Sequence, residues 1–156
     1  MALEIERKFL VKNDTWKENA TSKRYSQGYL SRQQGRTVRV RRVEEKAFLT
    51  IKGPTSHGCS RKEYEYEIPV HDGQELLETL CEQPLIEKYR YLVNFGGMTW
   101  EVDEFLGENS PLVVAEIELE SIGQQFEQPD WLAEEVTGDI RYYNSSLCVN
   151  PYSEWK

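Results

Sequence analysis

Along much of the chain apolar and charged side chains alternate one by one. In Glu4-Ile5-Glu6-Arg7-Lys8 a strand would place Glu4, Glu6 and Lys8 on one face and Leu3, Ile5 and Phe9 on the other, because successive strand side chains point to opposite sides. The first strand is predicted over 2–11. The same period predicts strands over 24–32, 37–41, 46–52, 60–70, 85–95, 99–106 and 112–122. The longest run lies in 60–70, where Arg61, Glu63, Glu65 and Glu67 alternate with Lys62, Tyr64, Tyr66 and Ile68. Gly53-Pro54 ends the fourth strand, since proline cannot donate to the ladder, and Gly96-Gly97 reads as a hairpin turn. Gly28, inside the second strand, marks either a bulge or a close backbone approach. Over 71–82 the period becomes helical, with Leu76, Leu77 and Leu80 as an apolar stripe that would pack on the sheet. Shorter helical turns are predicted at Trp16 after Asn13-Asp14-Thr15, from Pro129-Asp130-Trp131, and over 144–149.

Length and composition narrow the class. The 156 residues suit one domain spanning 1–156, and 38% hydrophobic with 29% charged residues is a folding composition. A net charge of −8 opposes broad binding to nucleic acid or to an anionic membrane, though a local basic pocket remains allowed. The three cysteines, Cys59, Cys81 and Cys148, are odd in number and lack a Cys-x-x-Cys pair. They indicate neither a disulfide framework nor a thiolate zinc site. With no apolar leader or membrane span, the expectation is a soluble, cytoplasmic protein. His57 and His71 sit in turns and read as surface residues, while Trp16, Trp100, Trp131 and Trp155 read as packing residues.

The charged faces of the strands carry Glu4, Glu6, Lys8, Arg39, Arg41, Lys52, Arg61, Glu63, Glu65, Lys88, Arg90, Asp103, Glu116 and Glu118, seven basic and seven acidic groups. An open sheet could turn that face to water. Eight antiparallel strands can instead close on themselves, leaving an interior. Such an interior could not be a dry core, because buried charges are costly even in pairs. It would be a wet tunnel suited to an anion that arrives with divalent cations: Lys and Arg meet phosphate oxygens, and carboxylates hold a hard metal.

Glu4-x-Glu6-x-Lys8 on a first strand resembles the signature of the CYTH superfamily, the triphosphate tunnel metalloenzymes. The likeness runs on in order through Gln27-Gly28-Tyr29-Leu30, Val38-Arg39-Val40-Arg41, Leu49-Thr50-Ile51-Lys52 and Ser60-Arg61-Lys62-Glu63-Tyr64-Glu65. It continues with Glu87-Lys88-Tyr89-Arg90-Tyr91, Val102-Asp103, Ala115-Glu116-Ile117-Glu118 and Trp131-x-x-Glu134-Glu135-Val136-Thr137. The resemblance implies an α+β, mainly β fold: a closed eight-stranded antiparallel β-barrel with a few short flanking helices. In that tunnel Lys8, Arg39, Arg41, Lys52, Arg61, Lys88 and Arg90 would bind a triphosphate, and Glu4, Glu6, Glu63, Asp103, Glu116 and Glu118 would hold Mg²⁺ or Mn²⁺. Tyr29 and Lys88 match a pair proposed to activate the nucleophile in related triphosphatases.

Within the superfamily the compact opening looks most like the bacterial branch that hydrolyses inorganic tripolyphosphate to pyrophosphate and phosphate. A class IV-type adenylate cyclase, a thiamine triphosphatase and a non-enzymatic polyphosphate-binding module are the alternatives. The expected partner is a small-molecule triphosphate, with no nucleic acid and no membrane, and the expected assembly is a monomer or homodimer.

Overall fold

The structure is a computed structural model that describes residues 3–18 and 20–155. Its strands are β1 (Leu3–Val11), β2 (Thr21–Ser31), β3 (Thr37–Val43), β4 (Lys46–Lys52), β5 (Ser60–Ile68), β6 (Ile86–Phe95), β7 (Met98–Phe105), β8 (Val113–Glu118) and β9 (Leu132–Glu135). The α-helices are α1 (Val70–Thr79) and the single turn α2 (Asn144–Leu147), joined by 3₁₀ turns at Thr15–Lys17, where the turn at Trp16 was expected, and at Gly107–Asn109, Ile140–Tyr142 and Tyr152–Glu154. The strands follow the order β5-β4-β3-β2-β6-β7-β8-β1-β9, and a further antiparallel pairing of β5 with β1 closes the first eight into a barrel. Closure rests on Leu3↔Lys62, Glu4↔Arg61 and Ile5↔Ser60. It removes the exposed edges that an open sheet of this size would carry.

All eight expected strands form. Position 2, at the start of the first predicted strand, lies outside the described residues. The expected helix from Pro129 does not form. One turn closes, with Leu132 N donating to Pro129 O at 3.2 Å, and the chain then enters β9. The reason is an edge left open on β1. Beyond Ile5 that edge has outrun β5, and β9 covers it through Phe9↔Glu135 and Val11↔Leu132. Val136 N also donates to Lys8 O at 2.8 Å. Satisfying backbone donors and acceptors outweighs the local helix signal there.

The outer side chains pack in two places. Against β1, β7 and β8 lies an aromatic cluster in which Phe9, Phe126 and Trp131 each meet Trp100 edge-on or nearly so, with Phe9, Phe126 and Trp131 ring centroids 5.7, 5.7 and 5.7 Å from it. Against β3 and β4 lies α1, with Leu77 buried on Val40. Leu80 departs from the predicted stripe: it is exposed, because α1 ends at Thr79 and the chain turns away with Cys81 N bonding Leu76 O. His57 and His71 are exposed, as expected, although His71 lies in the first turn of α1 rather than in a loop, and Trp16, Trp100 and Trp131 are buried packing residues.

Gly28 is a point of close approach. A Cβ there would lie 2.6 Å from Leu85 Cδ2 and 2.9 Å from Cys81 Cβ. The irregularity in the β2–β3 register falls just after it, between Tyr29 and Ser31. Gly28→Ala is expected to cost about 1–3 kcal/mol of stability, the usual range for overpacking, read as a lowered denaturant midpoint. An unchanged midpoint would mean that the 80s loop gives way freely.

Inside the barrel the side chains sort by level. Tyr29, Ile86, Phe105, Leu112 and Val114 pack with Val136, Tyr142, Leu147 and Cys148, so the C-terminal segment supplies an apolar floor at one end. Above that floor the bore is charged.

Candidate active site

The charged bore encloses about 200 Å³, below the roughly 300–1,000 Å³ of pockets for drug-sized ligands. It suits a small ion. All seven basic side chains predicted for this face line it: Lys8 from β1, Arg39 and Arg41 from β3, Lys52 from β4, Arg61 from β5, and Lys88 and Arg90 from β6. Glu4, Glu6, Glu63, Glu116, Glu118 and Tyr29 line it too. Alternation explains this convergence, since residues of equal parity on each strand share the inner face and cross-strand partners fall side by side: Glu6↔Glu118, Lys8↔Glu116, Lys52↔Glu63 and Arg90↔Asp103.

Asp103 is the exception among the predicted site residues. It is almost fully buried and lies outside the cavity lining, behind Lys88 and Arg90. Arg90 Nε donates to its Oδ1 at 2.7 Å, and Arg90 Nη2 and Lys88 Nζ donate to its Oδ2 at 2.9 and 2.8 Å. Burial opposes its ionisation, but Arg90 and Lys88 outweigh it and hold the carboxyl down to about 2. It is a counter-ion to two bases, with both oxygens engaged. Glu116 is similarly tied, to Lys8 Nζ at 2.9 Å and to Arg90 Nη2 at 3.2 Å. Its carboxyl stays well below the usual range although burial opposes this, because Lys8 and Arg90 prevail.

The other carboxyls are crowded by their own kind. Burial, then Glu116, pushes Glu6 up to about 7 despite Lys8 at 3.5 Å. Burial and a hydrogen bond with Glu4 raise Glu63, and burial with Glu4 and Glu101 raises Glu118. Only Glu4 moves the other way, held down to about 2 because Lys52 and Arg61 outweigh its burial. Like charges gathered on one face resist joint ionisation, and a bound divalent cation would ease it. Among the described residues no three ligand-type side chains already converge as a metal cage. A Mg²⁺-like ion does not require one, since it is commonly held by one or two carboxylates, water and substrate phosphate. The chemistry of Glu4, Glu6, Glu63 and Glu118 therefore fits a divalent cation that enters with an anion.

The bases complement this. Arg39 Nε is buried without a hydrogen-bond partner among the described residues. A buried donor left unsatisfied costs about 1–3 kcal/mol, so an acceptor arriving in the bore would relieve it. Burial, with Arg39 and Arg90, lowers Arg41 to about 10, and burial with Arg39 also lowers Lys52. Burial brings Lys88 down to about 7, with Arg90 and Arg41 adding to it against Asp103. Burial raises Tyr29 above its ordinary value.

Tyr29 and Lys88 are not strand partners. Tyr29 faces Arg39, and the residue opposite Lys88 is Tyr25. The Tyr25 ring centroid lies 4.9 Å from the Arg41 guanidinium, 5.0 Å from that of Arg90 and 6.0 Å from Lys88 Nζ. Tyr25 and Gln27 share the parity of Tyr29 and so were legible as inner-face residues, although neither was expected in the site. Glu101 shares the face of Asp103 by the same parity and lines the bore, although it was not expected in the site. Tyr143 and Asn144 also line the bore; the predicted turn over 144–149 includes Asn144 but nothing in it points either side chain to the lumen.

An antiparallel barrel closed around a lumen with seven bases, and with carboxylates gathered on β1, β5, β7 and β8, is the class of tunnel protein suited to a small polyanion accompanied by cations. The chain belongs to the CYTH domain family, which it matches over residues 2–147. It is 55% identical over 156 residues to an inorganic triphosphatase of Acetivibrio thermocellus, covering 100% of this chain and 99% of that one. To an inorganic triphosphatase of Nitrosomonas europaea it is 39% identical over 152 residues, covering 94% and 97% of the two chains. The crystal structure of the inorganic triphosphatase NE1496 superposes with a TM-score of 0.66 at 35% identity, over 96% of each chain. Membership of the family implies divalent-metal dependence in general terms. No helix among the described residues is long and apolar enough to cross a membrane.

Proposed function

We propose that the protein hydrolyses a phosphoanhydride bond of inorganic tripolyphosphate, giving pyrophosphate and phosphate, with Mg²⁺ or Mn²⁺. The observation that carries this is the bore itself: seven bases around about 200 Å³, with Arg39 Nε lacking an acceptor among the described residues. The names of the relatives at 55% and 39% identity agree with it. Lys8, Arg39, Arg41, Lys52, Arg61 and Arg90 bind and align the triphosphate oxygens, the guanidinium groups by forked contacts and the ammonium groups as point charges. Glu4, Glu6, Glu63 and Glu118 would hold the divalent cation, whose contribution is to neutralise charge on the phosphoryl oxygens. Asp103 and Glu116 keep the bases in place.

Phosphoryl transfer to water asks mainly for positioning and charge stabilisation. Lys88 supplies the remaining element. As a neutral amine it takes a proton from the attacking water, the new P–O bond forms at the terminal phosphorus, and the bond to the bridging oxygen breaks as pyrophosphate leaves. Tyr29, at the floor of the bore, bounds the reacting end. The three cysteines are free thiols, which fits a reducing cytoplasm.

The test is phosphate release from tripolyphosphate by the purified protein with Mg²⁺ or Mn²⁺, and its loss on chelation of the metal. Absence of release while ATP is cyclised readily would replace this reading with the cyclase one.

A further inference from the structure

We infer that Asn144, on the C-terminal segment outside the barrel strands, is a positioning residue that fixes the Lys88 amine through a one-way hydrogen-bond chain beginning at Arg41. The inference rests on the reading of Lys88 as the group that accepts the water proton.

The direction of the chain follows from chemistry. An arginine side chain can only donate, so the bond from Arg41 Nε, at 2.9 Å, makes the Gln27 atom it meets the carbonyl oxygen. Gln27 is fully buried, and its other terminal atom must then be the amide nitrogen, which donates at 2.9 Å to Asn144 Oδ1. That settles the Asn144 amide, because the flipped orientation would set two NH₂ groups against each other. Lys88 Nζ also meets Asn144 Oδ1, at 2.9 Å. It therefore donates a hydrogen there and a second to Asp103 Oδ2 at 2.8 Å. With both hydrogens of a neutral amine committed to Asn144 and Asp103, its lone pair is confined to the one remaining tetrahedral position, on a side chain that lines the bore.

The backbone holds Asn144 in place for this. It opens α2, its carbonyl accepts from Cys148 N at 3.3 Å, and Leu147 one turn on is buried in the apolar floor. Tyr143 beside it lays its ring 5.7 Å from Lys8 Nζ and 5.3 Å from the Arg61 guanidinium. A segment added after the barrel thus contributes an atom to the orientation of a barrel lysine.

Steady-state kinetics on tripolyphosphate with Mg²⁺, for wild type, Asn144→Ala, Lys88→Met and the double variant, test this. Asn144→Ala is expected to lower kcat on the order of 10- to 100-fold, the scale of a misoriented reacting group, with KM changed less than about twofold. In the Lys88→Met background the same change should have no further effect, because the two act as one unit. Should alanine unsettle α2, seen as a lowered thermal midpoint, Gln27→Leu removes the orienting donor and should lower kcat in the same sense. Unchanged kcat in an active, folded variant overturns the inference alone. So does an equal loss in both backgrounds, or a rise in KM at constant kcat. A wild type that releases no phosphate removes the functional reading and this one together.

Discussion

Glu6→Gln is expected to lower tripolyphosphate turnover by about 100-fold or more at limiting Mg²⁺, with much of the loss recovered when the metal is raised. A metal centre can contribute several kcal/mol of transition-state charge stabilisation, and each ~1.4 kcal/mol is tenfold in rate. The fold should survive. Burial and Glu116 already push the Glu6 carboxyl up to about 7, so at neutral pH a good share of the empty protein holds a proton between the two. The amide imitates that protonated form, keeping its shape and its ability to donate to Glu116, but it cannot lend a full negative charge to a cation. Thermal midpoint without metal should therefore match wild type, whereas stabilisation by Mg²⁺ with triphosphate should shrink. Phosphate release measured across a metal titration checks it. Wild-type activity at limiting metal would move Glu6 out of the ligand set and leave Glu4, Glu63 and Glu118 to carry it.

The inner face was legible in the sequence wherever one rule sufficed. A period of two assigns Lys8, Arg39, Arg41, Lys52, Arg61, Lys88 and Arg90 to one side of their strands, and closure does the rest: all seven line one cavity. The same rule placed Asp103 on the inner face but could not say how deep. Parity carries no information about whether a side chain reaches the lumen or is overlaid by longer neighbours, and here Arg90 and Lys88 cover it. The C-terminal contributions were illegible for another reason. The turn over 144–149 was legible and forms as α2, but the path that brings Tyr143 and Asn144 to the bore depends on Leu147 and Tyr142 finding the barrel floor, a tertiary event that no local pattern encodes. β9 belongs to the same kind, since its strand geometry comes from the open edge of β1 rather than from its own residues.

Lys88→Met is the substitution expected to reduce turnover furthest, by a factor on the order of 10²–10⁴ in kcat, the range for a positioned general base. Methionine keeps much of the stem's volume and removes the amine. Arg90 still pairs with both oxygens of Asp103, so the buried carboxylate is not left alone and the fold should hold. The pH profile separates base from mere charge. Burial, reinforced by Arg90 and Arg41, brings Lys88 down to about 7. A base works only without its proton, so kcat/KM should rise with pH through about 7 and fall below it, tracking the free enzyme. The residual activity of Lys88→Met should lack that limb, and comparing the two on one substrate cancels the ionisation of tripolyphosphate itself. Lys88→Arg offers the opposite control. Its guanidinium restores positive charge but cannot lose a proton in this range, so substrate affinity should recover while kcat stays low. If the arginine variant instead regains wild-type kcat, Lys88 serves as a fixed charge toward the phosphate and the proton must leave by another route.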